Sequence, residues 1–426
     1  MNKSARILLV LLLAAIVVSG PAVVETFAKT ADPKGESAEP NPDEKGGEDP
    51  QPARRPNSVF ESLSNKVSGI EFFSTNYGIL FLNIAAGRAG GLYPRGAARP
   101  YLFGGGVWFG AQKFVAEDPE DPESPKRLRE VSVISYNPNS GRSWMVPGEI
   151  SDPYQESVRD ESADGINKYR IYFSTDYDDI TGQPFDEIDQ NNGGPGWPIW
   201  DTDPDEIMLR DRYVGRYVSD ISKRNLETYA KGPAIVSGED IVSIFKDTDL
   251  SRYELSEARA EREGYPLGIE VDQRIYSWGF GQFSNFMFIR YSIVNKSADT
   301  LYDCFMAPAL DTDIGAAAND RTKIAIELKD QDTLDLGIQW SETTGGDAGL
   351  GYMGADFLES PAVDNFNFIR QDKKFYENSE QIGLHAFRNW VIAIDPRTPR
   401  DRYQFMAEDN IRDGDNGAGD KRFLMS

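Results

Sequence analysis

The sequence is poor in the two residue types that most often carry catalysis and cross-links. Its 426 residues contain one cysteine, Cys304, and one histidine, His385. A single cysteine cannot form a disulfide within the chain, so an oxidising compartment does not staple this fold. Zinc sites built from cysteine and histidine are excluded by number. Stability must therefore come from a hydrophobic core, to which bound metal ions can add.

Neither residue stands in a pattern typical of a catalytic pair. A serine or cysteine nucleophile needs a base within hydrogen-bond reach, usually histidine. His385 lies in "IGLHAFRNW", where Leu384 and Phe387 predict a partly packed strand edge. Cys304 lies in the strand-like "LYDCFM", which predicts a buried free thiol. We therefore predict no catalytic residue.

Positive charge is scarce as well. The chain has 45 lysine and arginine residues against 69 aspartate and glutamate residues, and its formal net charge is −24. Binding to nucleic acid or to an anionic membrane surface depends on basic residues that neutralise phosphates, so both classes of partner are excluded. Cations, neutral glycans and basic surfaces remain, and we expect a glycan or a cell-surface protein as the partner.

The amino end carries an apolar run of the kind that directs export. Lys3 and Arg6 precede twelve apolar residues, Ile7 to Val18, in the pattern of a secretory signal peptide. A retained membrane anchor is the alternative, but twelve helical residues rise only ~18 Å against a hydrocarbon core of ~30 Å. We expect residues 1–28 to be cleaved, which places the mature chain in the periplasm, on the cell surface or outside the cell.

The segment that follows the apolar run has a different composition. Residues 29–58 contain six prolines among glutamate, aspartate, lysine and glycine, and no aliphatic residue larger than alanine. Such a stretch cannot bury enough apolar surface to offset the entropy of ordering it. We predict a disordered linker, with a processed pro-segment as the alternative. The β-rich part of the chain is then residues 59–426.

Short aromatic and β-branched runs separated by turn residues indicate strands from Val59 onward. In "MFIRYSI" every second residue from Met287 to Ile293 is apolar, which places these residues on one face of a sheet. The polar "NKSADT" and the strand-like "LYDCFM" follow, so residues 286–306 are predicted to form an antiparallel hairpin. The run "LDLGIQW" also alternates, with its apolar residues from Leu334 to Trp340 on a shared face.

Length and local composition together set the fold class. The segment "SRYELSEARAEREG" is built of helix-forming residues, and we predict a partly helical insertion over residues 205–264. Residues 59–426 exceed one ordinary sandwich core. The prediction is a mainly β protein with a large antiparallel, sandwich-like unit or two β-subdomains. No fixed-period repeat is visible, which argues against a propeller or a solenoid.

Several blocks resemble a family of uncharacterised exported proteins from bacteria of the Bacteroidetes and Chlorobi type. They are "GGLYPRGAARPYLFGGGVWFG" (90–110), "YPLGIEVDQRIYSW" (265–278), "FMFIRYSIVNKS" (286–297), "APALDTDIG" (307–315) and the closing "DKRFLMS". The resemblance implies secretion, and some members end in a type IX secretion sorting domain, but it implies no activity. The family pattern continues into further β-structure beyond "RFLMS", so we expect this chain to be incomplete at its C-terminus.

Two aromatic and glycine-rich segments have competing interpretations. The glycines of "FGGGVWFG" do not precede a helix, so we predict a closely packed buried strand rather than a phosphate-binding loop. Trp197 and Trp200 lie in the loop "NNGGPGWPIWDTDPDE". Exposed tryptophan rings can stack on sugars, whereas buried ones cap a core. Sugar stacking by Trp197 and Trp200 is one hypothesis, and capping is the other.

The segment "ALDTDIGAAANDRTKIA" holds the strongest metal-binding signal. Asp311 and Asp313 precede Gly315, and Asp413 and Asp415 stand in the same spacing before a later glycine. Hard cations such as calcium take six to eight oxygen ligands, which alternating carboxylates before a turn can supply. The spacing is not that of an EF-hand, so ligands from another loop are required.

We predict calcium at Asp311, Asp313 and Asp320, with Asp413 and Asp415 as a weaker second candidate site. A solvated charged hairpin tip is the alternative. Two functions then compete for the whole chain. One is a non-enzymatic exported or cell-surface β-rich protein with a structural or adhesive role, and the other is a secreted carbohydrate-active enzyme that uses paired carboxylates.

Overall fold

The computed structural model describes 60–118, 121, 123–150, 169–186, 194–200, 233–249, 252, 263–325, 334–342, 350–360, 383–391, 395–408 and 418–426. For the backbone alone it also describes residues 6–14, 326, 333, 368–369 and 375–376. Within this part of the chain the protein is mainly β, as predicted, and its ladders are antiparallel.

The strands range from two to thirteen residues, and a helix precedes the last of them. The strands are β1 Arg6–Ala14, β2 Ser62–Ser64, β3 Phe73–Thr75, β4 Leu82–Asn83, β5 Arg88–Ala89, β6 Gly91–Leu92, β7 Pro100–Leu102, β8 Gly104–Ala116, β9 Lys126–Ile134, β10 Val146–Pro147, β11 Tyr172–Phe173, β12 Glu239–Lys246, β13 Ile269–Ser277, β14 Phe286–Asn295, β15 Tyr302–Thr312, β16 Asp320–Ile326, β17 Thr333–Ser341, β18 Tyr352–Glu359, β19 Phe368–Ile369, β20 Phe375–Tyr376, β21 Phe387–Val391 and β22 Lys421–Met425. The α-helix α1, Pro399–Ala407, begins with a capping box at Thr398.

Two sheets form the body of the molecule. The main sheet has the strand order β10-β12-β13-β14-β1-β18-β17-β16, with β11 paired to β12, and the second sheet has the order β21-β22-β15-β8-β9. One cluster of buried apolar residues includes Ile289 of the main sheet and Phe423 of the second. The two sheets therefore share a core, in the manner of the predicted sandwich-like unit.

Strand β14 follows the predicted alternation. Met287, Ile289, Tyr291 and Ile293 are each at most 1% exposed, while the residues between them are partly exposed. The predicted hairpin over residues 286–306 is wrong. β14 pairs with β13 and β1, whereas β15 pairs with β8 and β22 in the other sheet. The "NKSADT" segment is a crossover between the sheets, because both edges of β14 are already occupied.

The predicted insertion at 205–264 contains a strand that its composition did not indicate. Within it, residues 233–249 include β12, which pairs along its whole length with β13. The helix-forming stretch "SRYELSEARAEREG" lies almost entirely outside the described residues, as does most of residues 205–232. The predicted linker, residues 29–58, lies outside them as well.

Strand β8 is a buried strand, as its glycine-rich sequence predicted. Gly104, Gly105 and Gly106 are buried, together with Val107, Trp108 and Phe109. A Cβ atom on Gly106 would lie 2.4 Å from Ser135 Oγ, and one on Gly110 would lie 2.6 Å from Met406 Cε. Glycine is required at these positions because neighbouring elements contact the strand backbone directly.

Candidate cation site

The site begins where the second sheet places two oppositely charged residues on adjacent strands. In the β15–β22 register Asp311 is opposite Arg422, and on its other side Asp311 is opposite Gly104 of β8. Arg422 Nη2 lies 3.3 Å from Asp311 Oδ2, and both side chains are buried. The Tyr136 hydroxyl donates to the same Asp311 oxygen at 2.8 Å.

Gly104 makes room for that tyrosine. A Cβ atom at position 104 would lie 2.5 Å from the Tyr136 hydroxyl oxygen and 2.4 Å from its ring. Any side chain there would push the ring away from Asp311. The glycine-rich start of β8 therefore has a second role, which is to admit a hydrogen-bond donor to the buried carboxylate.

Two further carboxylates converge on Asp311. Asp313 follows the end of β15, in a turn that Gly315 completes with a φ of 77°. Asp420 directly precedes β22, and its Oδ1 lies 3.5 Å from Arg422 Nη1. Carboxylate oxygens of Asp311, Asp313 and Asp420 all lie within 4.8 Å of one another. We call these three residues the Asp triad.

Asp320 borders the Asp triad from the main sheet. It begins β16 and forms an isolated bridge with Gly419, the neighbour of Asp420. Asp320 is fully buried, and its Oδ2 accepts from the Ile314 amide at 2.9 Å and from Gln339 Nε2 at 2.9 Å. Its other oxygen, Oδ1, has no hydrogen-bond partner, and the same holds for Oδ1 of Asp313 and of Asp420.

Gln339 of β17 ties the two sheets together beside this group. Its Nε2 also donates to the Thr312 carbonyl at 2.7 Å, and its Oε1 accepts from Thr322 Oγ1 at 2.7 Å and from Thr312 Oγ1. The side chain is fully buried. The inner face of β17 at this point is therefore polar, and the apolar residues of "LDLGIQW" lie on the outer face, where Leu334 is 48% exposed.

A fifth carboxylate contacts the arginine from the other side. Asp395 Oδ1 accepts from Trp390 Nε1 at 2.6 Å and lies 3.6 Å from Arg422 Nε, while Asp395 Oδ2 has no hydrogen-bond partner. Arg422 thus forms ion pairs with Asp311, Asp395 and Asp420. One guanidinium balances at most one of these negative charges.

Three carboxylates of the site have raised pKa values, chiefly because they are buried. Burial raises the pKa of Asp311 to about 7, with Asp313 adding to the rise and Arg422 opposing it. Burial also raises the pKa of Asp313 to about 6 and that of Asp320 to about 8, and Asp420 adds to both shifts. At neutral pH the site must either hold protons or gain positive charge.

The structure brings together part of the predicted metal set. Asp311 and Asp313 belong to the Asp triad, Asp320 lies beside it, and Asp413 and Asp415 lie outside the described residues. Neither Asp420 nor Arg422 was predicted from the sequence to belong to the site. Both stand in "DKRFLMS", but only the pairing of β22 with β15 brings them to Asp311.

The structure also places the other candidate residues of the sequence, two tryptophans, one histidine and one cysteine. Trp197 is 2% exposed and donates to the Ala234 carbonyl at 3.0 Å, so sugar stacking by Trp197 is wrong and core capping is correct. Trp200 is 38% exposed, and sugar stacking there stays a prediction. His385 packs against Phe305 as expected. Cys304 is exposed, contrary to expectation, although partial desolvation and Asp303 raise its pKa to about 11.

Comparisons with known proteins found no matching family model, no matching curated protein and no matching solved structure. The resemblance to exported Bacteroidetes and Chlorobi proteins therefore stays a prediction. Among the described residues, no helix is both long and apolar enough to cross a membrane.

Proposed function

We propose that this is a non-enzymatic exported or cell-surface β-rich protein with a structural or adhesive role, in which calcium binds the Asp triad and stabilises the junction of the two sheets. The observation that carries the proposal is the convergence of three carboxylates, within 4.8 Å of one another, at a point where both sheets meet.

The donor set fits a hard cation. Calcium prefers carboxylate and carbonyl oxygens, and the Oδ1 atoms of Asp313, Asp320 and Asp420 have no hydrogen-bond partner. A buried carboxylate oxygen without a partner is costly, and a cation removes that cost. Arg422 alone cannot do so, because its nearest contacts to Asp395 and Asp420 are 3.6 and 3.5 Å, longer than good charge-assisted hydrogen bonds.

The surroundings of the carboxylates favour a structural role over glycoside hydrolysis. A glycosidase needs two carboxylates that a sugar can reach, about 5 Å apart in retaining enzymes and about 6.5–9.5 Å apart in inverting ones. Asp311 is 3% exposed and is held by Tyr136 and Arg422, and Asp320 is fully buried. Of the two tryptophans in the enzymatic hypothesis, Trp197 is buried and Trp200 is 38% exposed. Asp311 and Asp320 therefore give the carbohydrate-active alternative no support.

Export is supported by the sequence of the amino end, where Lys3 and Arg6 precede the apolar run Ile7 to Val18. Millimolar calcium is normal outside cells, and extracellular sites bind with dissociation constants of ~0.1–1 mM. A site of ~0.1 mM affinity at ~1 mM calcium stabilises the folded state by ~1.4 kcal/mol. Location and metal therefore support each other in this proposal.

The test is thermal unfolding of the purified chain in 1 mM calcium and in excess EDTA. We expect the melting temperature to rise by about 2 °C or more in calcium, given the size of the chain. Asp313→Asn and Asp420→Asn should lose that rise. Glu123→Gln is the matched control, because Glu123 is exposed on a loop outside the site, and it should keep the full rise. Equal melting temperatures of the wild type in calcium and EDTA would refute the calcium site.

The enzymatic alternative and the location are tested separately. Release of reducing ends from a panel of bacterial and plant glycans, lost in Asp311→Asn, would contradict the non-enzymatic assignment. Intact mass of the protein recovered from its host should correspond to a chain that begins near Lys29. A cytoplasmic species that retains Met1 would contradict export.

A further inference from the structure

The strand β1 occupies the position at which the main sheet joins its two halves. Residues Arg6–Ala14 pair with β14 over nine residues, from Arg6 opposite Val294 to Ala14 opposite Phe286. On the other edge they pair with β18, from Val10 opposite Glu359 to Ala14 opposite Gly354. We call the gap between β14 and β18 the β1 position.

The same residues are the apolar run of the predicted signal peptide. If export removes them, as the proposed function requires, β14 and β18 each lose a ladder partner. Both strands are antiparallel to β1, so they run parallel to each other, about two strand spacings or ~9.6 Å apart. Their facing N–H and C=O groups would then be unpaired, which makes this gap a template for a new strand.

The residues of β14 and β18 that line the β1 position determine which strand can bind there. On the inner face, β14 contributes Ile289 and Tyr291 and β18 contributes Ala355 and Phe357, all buried and apolar or aromatic. The outer face is mixed, because Phe286 and Phe288 at one end of β14 are aromatic whereas Arg290 and Ser292 of the same strand and Asp356 of β18 are polar.

An aromatic cluster covers one end of that outer face, and it is made of Trp278, Phe280, Phe283, Phe286 and Phe288. Neighbouring rings in the cluster have centroids 5.5 to 6.4 Å apart, and Phe280 and Phe283 are 60% and 44% exposed. Phe286 and Phe288 are opposite Ala14 and Leu12 in the register. Exposed aromatic patches of this kind mark interaction surfaces.

We propose that, after cleavage, the β1 position accepts a strand of about nine residues from another polypeptide, apolar on the face toward the core and flanked by lysine or arginine. The inference rests on the proposed export. Strand addition of this type uses main-chain hydrogen bonds for affinity and side-chain contacts for specificity. The basic flanks follow from the charge of the mature chain, which becomes −25 once Lys3, Arg6 and Glu25 are removed. Residues 29–58 cannot be the occupant, because they contain no aliphatic residue larger than alanine.

The probe is a synthetic peptide of residues 1–16, which has the required chemistry. We would give it a Leu12→Cys substitution and add it to the chain from Lys29 onward, with Cys304→Ser and Phe288→Cys. Directly opposite residues in an antiparallel pair have Cα atoms ~4.5–5.5 Å apart, within the range of a disulfide. The matched control is Ser292→Cys, on the same face of β14 but opposite Leu8, four residues away.

Intact mass after mild oxidation should show cross-linking to Phe288→Cys at least ten-fold above that to Ser292→Cys. The peptide should also slow hydrogen exchange in residues 286–295 and 352–359 by at least ten-fold. Equal cross-linking at both positions, or amides already protected without the peptide, would overturn the proposal. A homodimer that excludes the peptide would also overturn it, since the occupant would be a second copy.

The full chain provides a second measurement in case the shortened chain does not fold. In the full chain with Cys304→Ser, the pair Leu12→Cys and Phe288→Cys should form an internal disulfide, and its absence overturns the proposal. Refolding of the shortened chain should then require the peptide, and refolding that is equally poor with and without it counts against the proposal. These outcomes are independent of the calcium-dependent melting shift and of the mass of the host protein, which test the proposed function.

Discussion

Strands β14 and β17 belong to the same sheet, and both alternate cleanly, yet they face the core in opposite ways. In β14 the apolar residues, such as Ile289, point inward and are buried. In β17 the buried positions are Gly337, Gln339 and Ser341, and Leu334 faces outward. Alternation identifies a strand in both cases. Which face is buried depends on what lies opposite, and the buried face of β17 contacts Thr312 and Asp320.

Gly337 shows how packing complements that polar face. A Cβ atom on Gly337 would lie 2.7 Å from the Phe387 ring and 3.2 Å from the Phe423 ring. The aromatic residues of the second sheet therefore supply the apolar contact that β17 itself does not. At Gln339, two residues further along β17, the contact between the sheets becomes a hydrogen-bond network.

The largest effect is expected where the inner face is apolar. Ile289→Ala should lower the free energy of unfolding by ~3 kcal/mol, because it removes buried methyl groups and leaves a cavity. Ser292→Ala, on the outer face of the same strand, should change it by less than ~0.5 kcal/mol. Denaturant unfolding measures both. Similar losses for the two variants would contradict the assignment of inner and outer faces in β14.

A smaller but more informative effect is expected at Gln339. By hydropathy alone, Gln339→Leu should stabilise a buried strand. We expect instead a loss of ~2 kcal/mol, because Thr322 and the buried Asp320 carboxylate lose hydrogen-bond partners. Leu336→Ala, on the outer face of β17, is the control and should lose less. A Gln339→Leu protein as stable as the wild type would remove the contrast between the two strands.

A dependence of stability on pH is also expected, and it belongs to the polar junction. Asp313, Asp311 and Asp320 have folded-state pKa values of about 6, 7 and 8, above the value near 4 of an unfolded aspartate. The folded state therefore binds more protons than the unfolded state from about pH 4 to about pH 8, and its stability in EDTA falls as pH rises through that range. Calcium favours the charged carboxylates and should flatten this dependence.

Melting temperatures at pH 5.5, 6.5, 7.5 and 8.5, with EDTA and with calcium, test this expectation. Asp320→Asn should reduce the slope in EDTA, since it removes the carboxylate with the highest of the three pKa values. A melting temperature in EDTA that rises between pH 6 and 8 would show that these carboxylates do not control the pH dependence.

The contrast between β14 and β17 also explains which parts of the fold and of the site could be predicted from the sequence. Strand β14 was predictable because one of its faces packs against the core, so every second residue of the strand is apolar. Asp311 and Asp313 were identifiable because they are close together in the chain. Asp420 and Arg422 were not, since their contact with Asp311 depends on the β15–β22 register, which joins residues 111 positions apart in the case of Arg422.

The predicted hairpin at 286–306 failed for a related reason. A polar turn between two strand-like runs favours local pairing, and local pairing is the usual outcome. Nothing in residues 296–301 records that β13 and β1 already occupy both edges of β14. The role of Gly104 was hidden in the same way, because its neighbour in space is Tyr136 rather than a residue of its own strand.

The order of strands in the second sheet has a consequence for the timing of folding. Strand β8 begins at residue 104, β15 at residue 302 and β22 at residue 421, yet β15 lies directly between the other two. Sheets built from such distant segments form slowly, because long loops must close before any pairing is gained. During synthesis β8 can pair with β9 at once, but its other edge waits for β15, which is made much later. The second sheet therefore cannot be completed until synthesis has reached β22, at residues 421–425.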